Sequence, residues 1–137
     1  MCGNGERGQL GVGIITMKEY KPLKVQVLDD KGKTYNLTPK FKQISCGTFH
    51  TGFLTESGVI YVTGDNSQGQ LGLALTSDMT NALVPLDFNS VAPYQIRKLA
   101  FGDFSSALTF NGELYVWGVN DIREPALLRP EVLHSKP

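Results

Sequence analysis

Repetition is the feature that most constrains what this chain can fold into. The stretch Gly58-Val-Ile-Tyr-Val-Thr-Gly-Asp-Asn-Ser-Gln-Gly-Gln-Leu-Gly72 has partial copies on both sides. Upstream, Cys2-Gly-Asn-Gly-Glu-Arg-Gly-Gln-Leu-Gly11 matches its second half; downstream, Gly112-Glu-Leu-Tyr-Val-Trp-Gly-Val-Asn120 matches its first. Two longer units, 41–64 and 96–118, align glycine on glycine and aromatic on aromatic. Gly47 falls on Gly102, Phe49 on Phe104, Gly58 on Gly112, Tyr61 on Tyr115 and Gly64 on Gly118. Gly58 to Gly64 and Gly112 to Gly118 each span 6 positions, whereas Gly47 to Gly58 spans 11 and Gly102 to Gly112 spans 10. One residue therefore differs in the hairpin turn while the strand keeps its length, as duplicated β-units should.

Each unit reads as short strands rich in aromatic and β-branched residues, separated by glycine turns. In the first unit the strands are expected near 41–46, 50–55 and 59–63, with turns at Gly47 and at Glu56-Ser-Gly58. The stretch 74–82 is polar and is expected to hold at most one helical turn, followed by a strand at 83–88. The segment from Cys2 to Gly13 reads as loop, because its glycines interrupt regular structure. A hairpin with arms at 24–28 and 33–37 is expected as an insertion without a later counterpart, either a long tolerated loop or a partner-binding projection. The last stretch, 121–137, is expected to end as an extended strand and a frayed tail.

The repeat period, 61 positions from Gly3 to Gly64 and 54 from Gly64 to Gly118, suits a four-stranded propeller blade. A single such sheet cannot bury both faces, so blades must stack. The expected fold is all-β: a partial β-propeller of four-stranded antiparallel blades. Its parts are an incomplete first blade with the hairpin insertion at 1–40, a blade at 41–88, and a blade and tail at 96–137.

At this point the residues resemble a known family. The run Ile44-Ser-Cys-Gly-Thr-Phe-His-Thr-Gly, then Gly58, a strand, Gly64, Asn66 and Gly69-Gln-Leu-Gly72 is similar to the repeat of the regulator-of-chromosome-condensation family. Departures are Thr63 and Cys2 where the family usually has Trp, Ser105 in place of His, and loss of Gly-Gln-Leu-Gly at 122–125. The resemblance implies a seven-bladed propeller. Seven blades need on the order of 385 residues, so 137 residues hold two and a half of the expected seven. The chain is therefore expected to be a fragment of a longer protein or to complete its sheet with another chain. The family's founding member is a guanine-nucleotide exchange factor for the small GTPase Ran. The resemblance thus implies a protein-protein interaction module, or alternatively a segment of such an exchange factor.

Composition bounds the partners. Thirteen basic and thirteen acidic residues balance to a formal net charge of +0, so no overall field draws the chain to nucleic acid or an anionic membrane. Folding could still gather Lys18, Lys21, Lys24, Lys40 and Lys42, although solvated lysines on edges and loops are the plainer reading. Gly3, Gly5 and Gly8 satisfy a dinucleotide-binding pattern, but no strand precedes them and no helix can follow. The two cysteines, Cys2 and Cys46, are too few and too ill-spaced for a disulfide framework or zinc site, and Cys46 is read as a buried inert thiol. No apolar stretch approaches the ~20 residues of a membrane helix. The expectation is an intracellular, cytoplasmic or nuclear protein with no membrane partner, whose partner is a protein: the remaining blades on another chain, or a small GTPase.

No catalytic, cofactor or metal residues are assigned. His50 lacks a nucleophile with a paired acid, and is expected to bind neighbouring backbone across its turn. Asp65, Asp103 and Asp121 lack the spacing of a calcium loop and, with Asn66 and Asn120, are expected to hold turns. Phe49, Phe104, Tyr61, Tyr115 and Trp117 are read as core. The positions assigned are structural repeat positions: Gly3, Gly47, His50, Gly58, Tyr61, Gly64, Gly102, Gly112, Tyr115, Trp117 and Gly118.

Overall fold

The computed structural model describes residues 1–29, 31–34, 39–73, 78–86, 95–118 and the strand 131–134. Those residues are all-β, and they form the expected kind of architecture: four-stranded antiparallel sheets stacked face to face. Strands β1 (Gly3–Gly5) and β2 (Thr16–Glu19) make a two-stranded sheet. The first four-stranded sheet is β3 (Phe41–Cys46), β4 (His50–Thr55), β5 (Ile60–Asp65) and β6 (Met79–Leu86), in chain order across the sheet. The second repeats that order with β7 (Ile96–Phe101), β8 (Ser105–Thr109), β9 (Glu113–Trp117) and β10 (Glu131–His134).

Strand residues alternate between faces, and the alternation places two cores. One face of the first sheet offers Leu54, Ile60 and Val62, which pack with Leu71 and Leu73 against Ile96, Leu99, Ala107, Tyr115 and Trp117 of the second sheet. Residues as fully buried as Leu71 and Leu99 each contribute about 1.5–3 kcal/mol by leaving water. The opposite face of the first sheet offers Phe53, Leu83, Phe41 and Tyr61, covered by Val27, Val25 and Met1. Phe41 meets Tyr61 edge-on at 6.1 Å and Phe53 at 5.3 Å.

Several local expectations are corrected. β6 begins at Met79, so 79–82 is strand and not a helical turn: its backbone finds a ladder on β5, with Gly64 opposite Thr80 and Asp65 opposite Met79. β5 runs to Asp65, two residues beyond the expected end, because Gly64 still pairs with His50. Within the expected loop 2–13, Gly3–Gly5 is a strand paired with β2. Of the expected hairpin the described residues hold an antiparallel bridge between Leu28 and Thr34, with Asp29 N donating to Lys33 O at 2.8 Å; the rest of its second arm, 35–38, lies outside the described set, as do 74–77, 87–94, 119–130 and 135–137. The arm at 24–28 also lies along the free edge of β6. Leu28 N donates to Leu83 O at 2.8 Å, and Leu83 N donates to Gln26 O at 2.8 Å, a parallel bridge. With Gly13 N donating to Asn81 O at 2.7 Å, this segment covers an edge that would otherwise expose unpaired backbone.

Candidate functional site

The chemistry-bearing side chains converge on the joint between the two four-stranded sheets. Gly69-Gln-Leu-Gly72, which leaves β5, turns tightly: Gly72 N donates to Gly69 O at 3.0 Å, with φ +73° and +69° at the two glycines. Positive φ at both ends selects glycine. A Cβ on Gly72 would come within 2.9 Å of Trp117 Nε1, and one on Gly118 within 2.5 Å of Gln70 Cα. The loop is thereby pressed against the end of β9 in the next sheet, with Leu71 buried between them. The earlier copy does the same to the first sheet. Gly8 N donates to Gly5 O and Gly11 N to Gly8 O, each at 3.0 Å, and a Cβ on Gly11 would lie 3.1 Å from Thr63 Cγ2.

The loop carbonyls are anchored by hydroxyls. Thr51 Oγ1 donates to Gln9 O at 2.8 Å, and Ser105 Oγ donates to Gln70 O at 2.6 Å. Thr63 Oγ1 also donates to Gly8 O at 2.8 Å. The first pair of bonds identifies Ser105 as the counterpart of Thr51, and the ladders agree. Cys46 pairs with Thr51 where Phe101 pairs with Ser105, and Thr51 pairs with Thr63 where Ser105 pairs with Trp117. The one-residue difference between units therefore lies in the β3–β4 turn. Gly47 N closes that turn onto His50 O, whereas Gly102 N closes its shorter counterpart onto Phe104 O. Ser105 is thus not a replaced histidine; His50 has no ladder counterpart in the second sheet.

His50 is buried, and its Nε2 lies 2.7 Å from Ser105 Oγ. Because the Ser105 proton goes to Gln70 O, the serine oxygen accepts and His50 Nε2 carries the hydrogen. The imidazole bridges two sheets and does not bind backbone across its own turn as expected. Its ring stacks on Phe101 at 4.9 Å. Burial lowers its pKa to about 4 against the raising influence of Asp65 and Asp103, so the ring is neutral near pH 7. Asp65 is also buried: its carboxylate accepts from Gln70 Nε2 at 2.9 Å and from Ser67, with Arg7 at 4.0 Å. Asn66 accepts from Leu71 N at 3.1 Å. Asp103 accepts from Thr48 Oγ1 of the neighbouring sheet at 2.6 Å, an inter-sheet contact in place of the expected local turn; Asn120 and Asp121 lie outside the described residues.

Phe101 fills the joint, meeting Trp117 edge-on at 6.0 Å. A Cβ on Gly52 would stand 2.3 Å from the Phe101 ring, so that position must be glycine for the ring to fit. Gln43 and Ser45 then satisfy the backbone of β7. Gln43 Nε2 donates to Leu99 O at 2.7 Å, Leu99 N donates to Gln43 Oε1 at 2.9 Å, and Phe101 N donates to Ser45 Oγ at 2.9 Å. Phe101 and Gln43 carry no sequence signal beyond their placement on strands, whereas Ser45, Thr51 and Gly52 stand in the repeat-like run Ile44–Gly52 without a role assigned to them.

The assigned positions divide by location. His50, Gly47, Gly64, Trp117 and Gly118 meet at or beside the joint, and a Cβ on Gly47 would lie 2.5 Å from Gly102 O. Gly58 and Gly112, both at φ +89°, form the β4–β5 and β8–β9 turns away from it. Tyr115 is buried, Tyr61 half-buried, and Gly3 has no atom within 4 Å of a built Cβ. Three readings are corrected. Phe49 and Phe104 are 46% and 45% exposed, because each sits in a turn that projects beyond the sheets. Cys46 is exposed and not buried: Met1, Val25 and Val27 cover its face of the sheet at Phe41, Phe53, Tyr61 and Leu83, while Ile44 and Cys46 on the edge strand β3 are left exposed among the described residues. Among those residues, too, no group of three His, Cys, Asp or Glu side chains gathers for a metal, and no helix is long and apolar enough to cross a membrane.

Stacked antiparallel sheets joined by a glycine-bounded loop define a β-propeller segment. Comparison supplies the family: the regulator of chromosome condensation (RCC1) repeat matches residues 1–54 and again 41–70. The chain belongs to the RCC1 repeat family. It is 37% identical over 121 residues to the human "X-linked retinitis pigmentosa GTPase regulator", covering 88% of this chain and 11% of that protein. It is 31% identical over 126 residues to human "Probable E3 ubiquitin-protein ligase HERC6", covering 91% and 11%. Among solved structures it is similar to yeast RCC1 (Prp20), determined bound to Kap60, with a TM-score of 0.72 at 24% identity, covering 99% of this chain and 34% of that one. The chain spans about a tenth of the length of these curated relatives and a third of the solved propeller.

Proposed function

We propose that the chain is a protein-protein interaction module, one arc of an RCC1-type propeller, working inside the cell and performing no reaction of its own. The observation that carries this reading is the use made of the polar side chains. His50, Ser105, Gln70 and Asp65 are spent on one another and on loop backbone, whereas the neighbouring turns present Phe49 and Phe104 to solvent. Arg7 lies 5.5 Å over the Phe49 ring, so the exposed rim pairs aromatic surface with a cation, a composition typical of protein interfaces. The repeat positions at the joint would serve to hold that rim in place.

The test is affinity capture with the wild-type chain and with Phe49→Ser/Phe104→Ser, at matched thermal stability. The set of proteins held by the wild type is expected to fall away from the double variant; an unchanged set would refute the rim. A second reading is that the arc belongs to an exchange factor, favoured by similarity to a protein named as a GTPase regulator. Release of fluorescent nucleotide from a panel of small GTPases separates the two, since an interaction module leaves the release rate unaltered.

A further inference from the structure

The end of the sheets opposite Phe49 and Phe104 carries a second surface, created by a repeated irregularity. In β3 the register shifts between Phe41 and Gln43, and in β7 between Ile96 and Lys98. A bulge drops one residue out of the ladder and re-aims its side chain. The residues dropped are Lys42 and Arg97, equivalent positions on adjoining strands, both exposed. The two strands lie side by side, since Gln43 is bonded to Leu99 through both atoms of its amide. Lys42 Nζ stands 5.5 Å over the ring of Phe110, which is 61% exposed. Phe110 N donates to Gln95 O at 3.0 Å, which sets the ring beside the start of β7. Lys40 is brought to the same end, where its carbonyl accepts from Glu56 N at 2.9 Å.

Among the described residues, cations outnumber anions at this end. At this end the strand starts and turns hold Lys40, Lys42, Arg97 and Lys98 against Glu56 and Glu113, and Glu113 is engaged by the Tyr115 hydroxyl at 3.0 Å. Two like charges on adjoining strands repel unless a partner offsets them. We propose that Lys42, Arg97 and Phe110, supported by Lys40, form a docking site for an acidic polypeptide segment that carries an aromatic or aliphatic side chain. The carboxylates of such a segment neutralise the two ejected cations, and its apolar group covers Phe110. This surface goes beyond the proposed rim and is separate from it, so the two succeed or fail independently.

The probe is a fluorescein-labelled Glu-rich peptide carrying one Tyr, titrated with the full chain at low and physiological ionic strength. Single-stranded and duplex DNA of comparable charge are run beside it. Binding to the peptide is expected to weaken with salt and to fall roughly tenfold on Lys42→Glu/Arg97→Glu. Phe110→Ser, an exposed turn substitution, is expected to weaken the peptide while leaving any DNA binding untouched. The reversal Lys18→Glu/Lys21→Glu, with the same change in net charge elsewhere, is expected to have little effect. The proposal is overturned by absence of peptide binding at low salt, by equal losses in the two reversed variants, by insensitivity to Phe110→Ser, or by preference for either DNA.

Discussion

The two four-stranded sheets share a ladder pattern but not a joint. The first sheet turns Gln43, Ser45, Gly52 and His50 toward its neighbour, and all four meet it: two bond the edge of β7, one makes room for Phe101, and one reaches Ser105. By ladder register the second sheet has Lys98, Ala100 and Ser106 at the first three positions and nothing at the fourth. On the opposite faces, Ile44 and Cys46 are exposed where their counterparts Leu99 and Phe101 pack into the core. Equivalent strand positions therefore do different work according to what stands beside them. The repeat specifies a sheet, and its non-repeating residues specify which sheet it stacks against.

The widest separation should come from Phe101 and its counterpart. Phe101→Ala removes the ring between Gly52, His50 and Trp117 and is expected to cost about 2–4 kcal/mol in denaturant unfolding, while Cys46→Ala costs under about 0.5 kcal/mol. Equal losses would mean that the joint is not what distinguishes the sheets.

Next comes the histidine that the second sheet lacks. Its folded pKa, about 4, is below the ordinary 6.5, so between those values the unfolded chain binds more protons and stability falls as pH falls. The contribution is present in full above pH ~6.5 and is lost progressively as pH drops toward ~4, amounting to up to about 3 kcal/mol. Unfolding midpoints measured across that window should show the slope in the wild type and a flatter profile in His50→Gln. An identical slope in both would assign it to other groups.

The smallest difference concerns the inner strands. Gln43→Ala leaves Leu99 N and O without their side-chain partner and is expected to cost about 1–2 kcal/mol; Lys98→Ala, at the equivalent exposed position, should stay within about 0.5 kcal/mol. A larger loss at Lys98 would reverse the comparison.

Much of the fold was legible before any coordinates. Strand ends at Phe41, Cys46, His50 and Thr55 agree with expectation, because glycine turns and alternating side chains are local signals. The joint was legible at its glycines, at His50 and at Trp117. Phe101 reads as one more aromatic in a strand, and Cys46 as one more apolar residue at a strand end, although the first plugs the joint and the second is bare. Burial there depends on a neighbouring sheet more than fifty residues away in sequence, which local pattern does not encode. The turn that shortens by one residue misled for a related reason: aligning Phe49 with Phe104 put His50 on Ser105, and only the ladders show that the gap falls before Ser105.

The amino-acid order alone determined the antiparallel repeat, its period and its family, since turn chemistry and strand periodicity act between residues close in the chain. Tertiary structure decided which faces meet, that the segment at 24–28 lies along the edge of β6, that the imidazole answers to a serine in the next sheet, and that two bulges carry Lys42 and Arg97 out of their ladders on adjoining strands. Those outcomes rest on contacts between distant segments, where close packing and the pairing of buried polar groups select among arrangements that the local sequence leaves equally open.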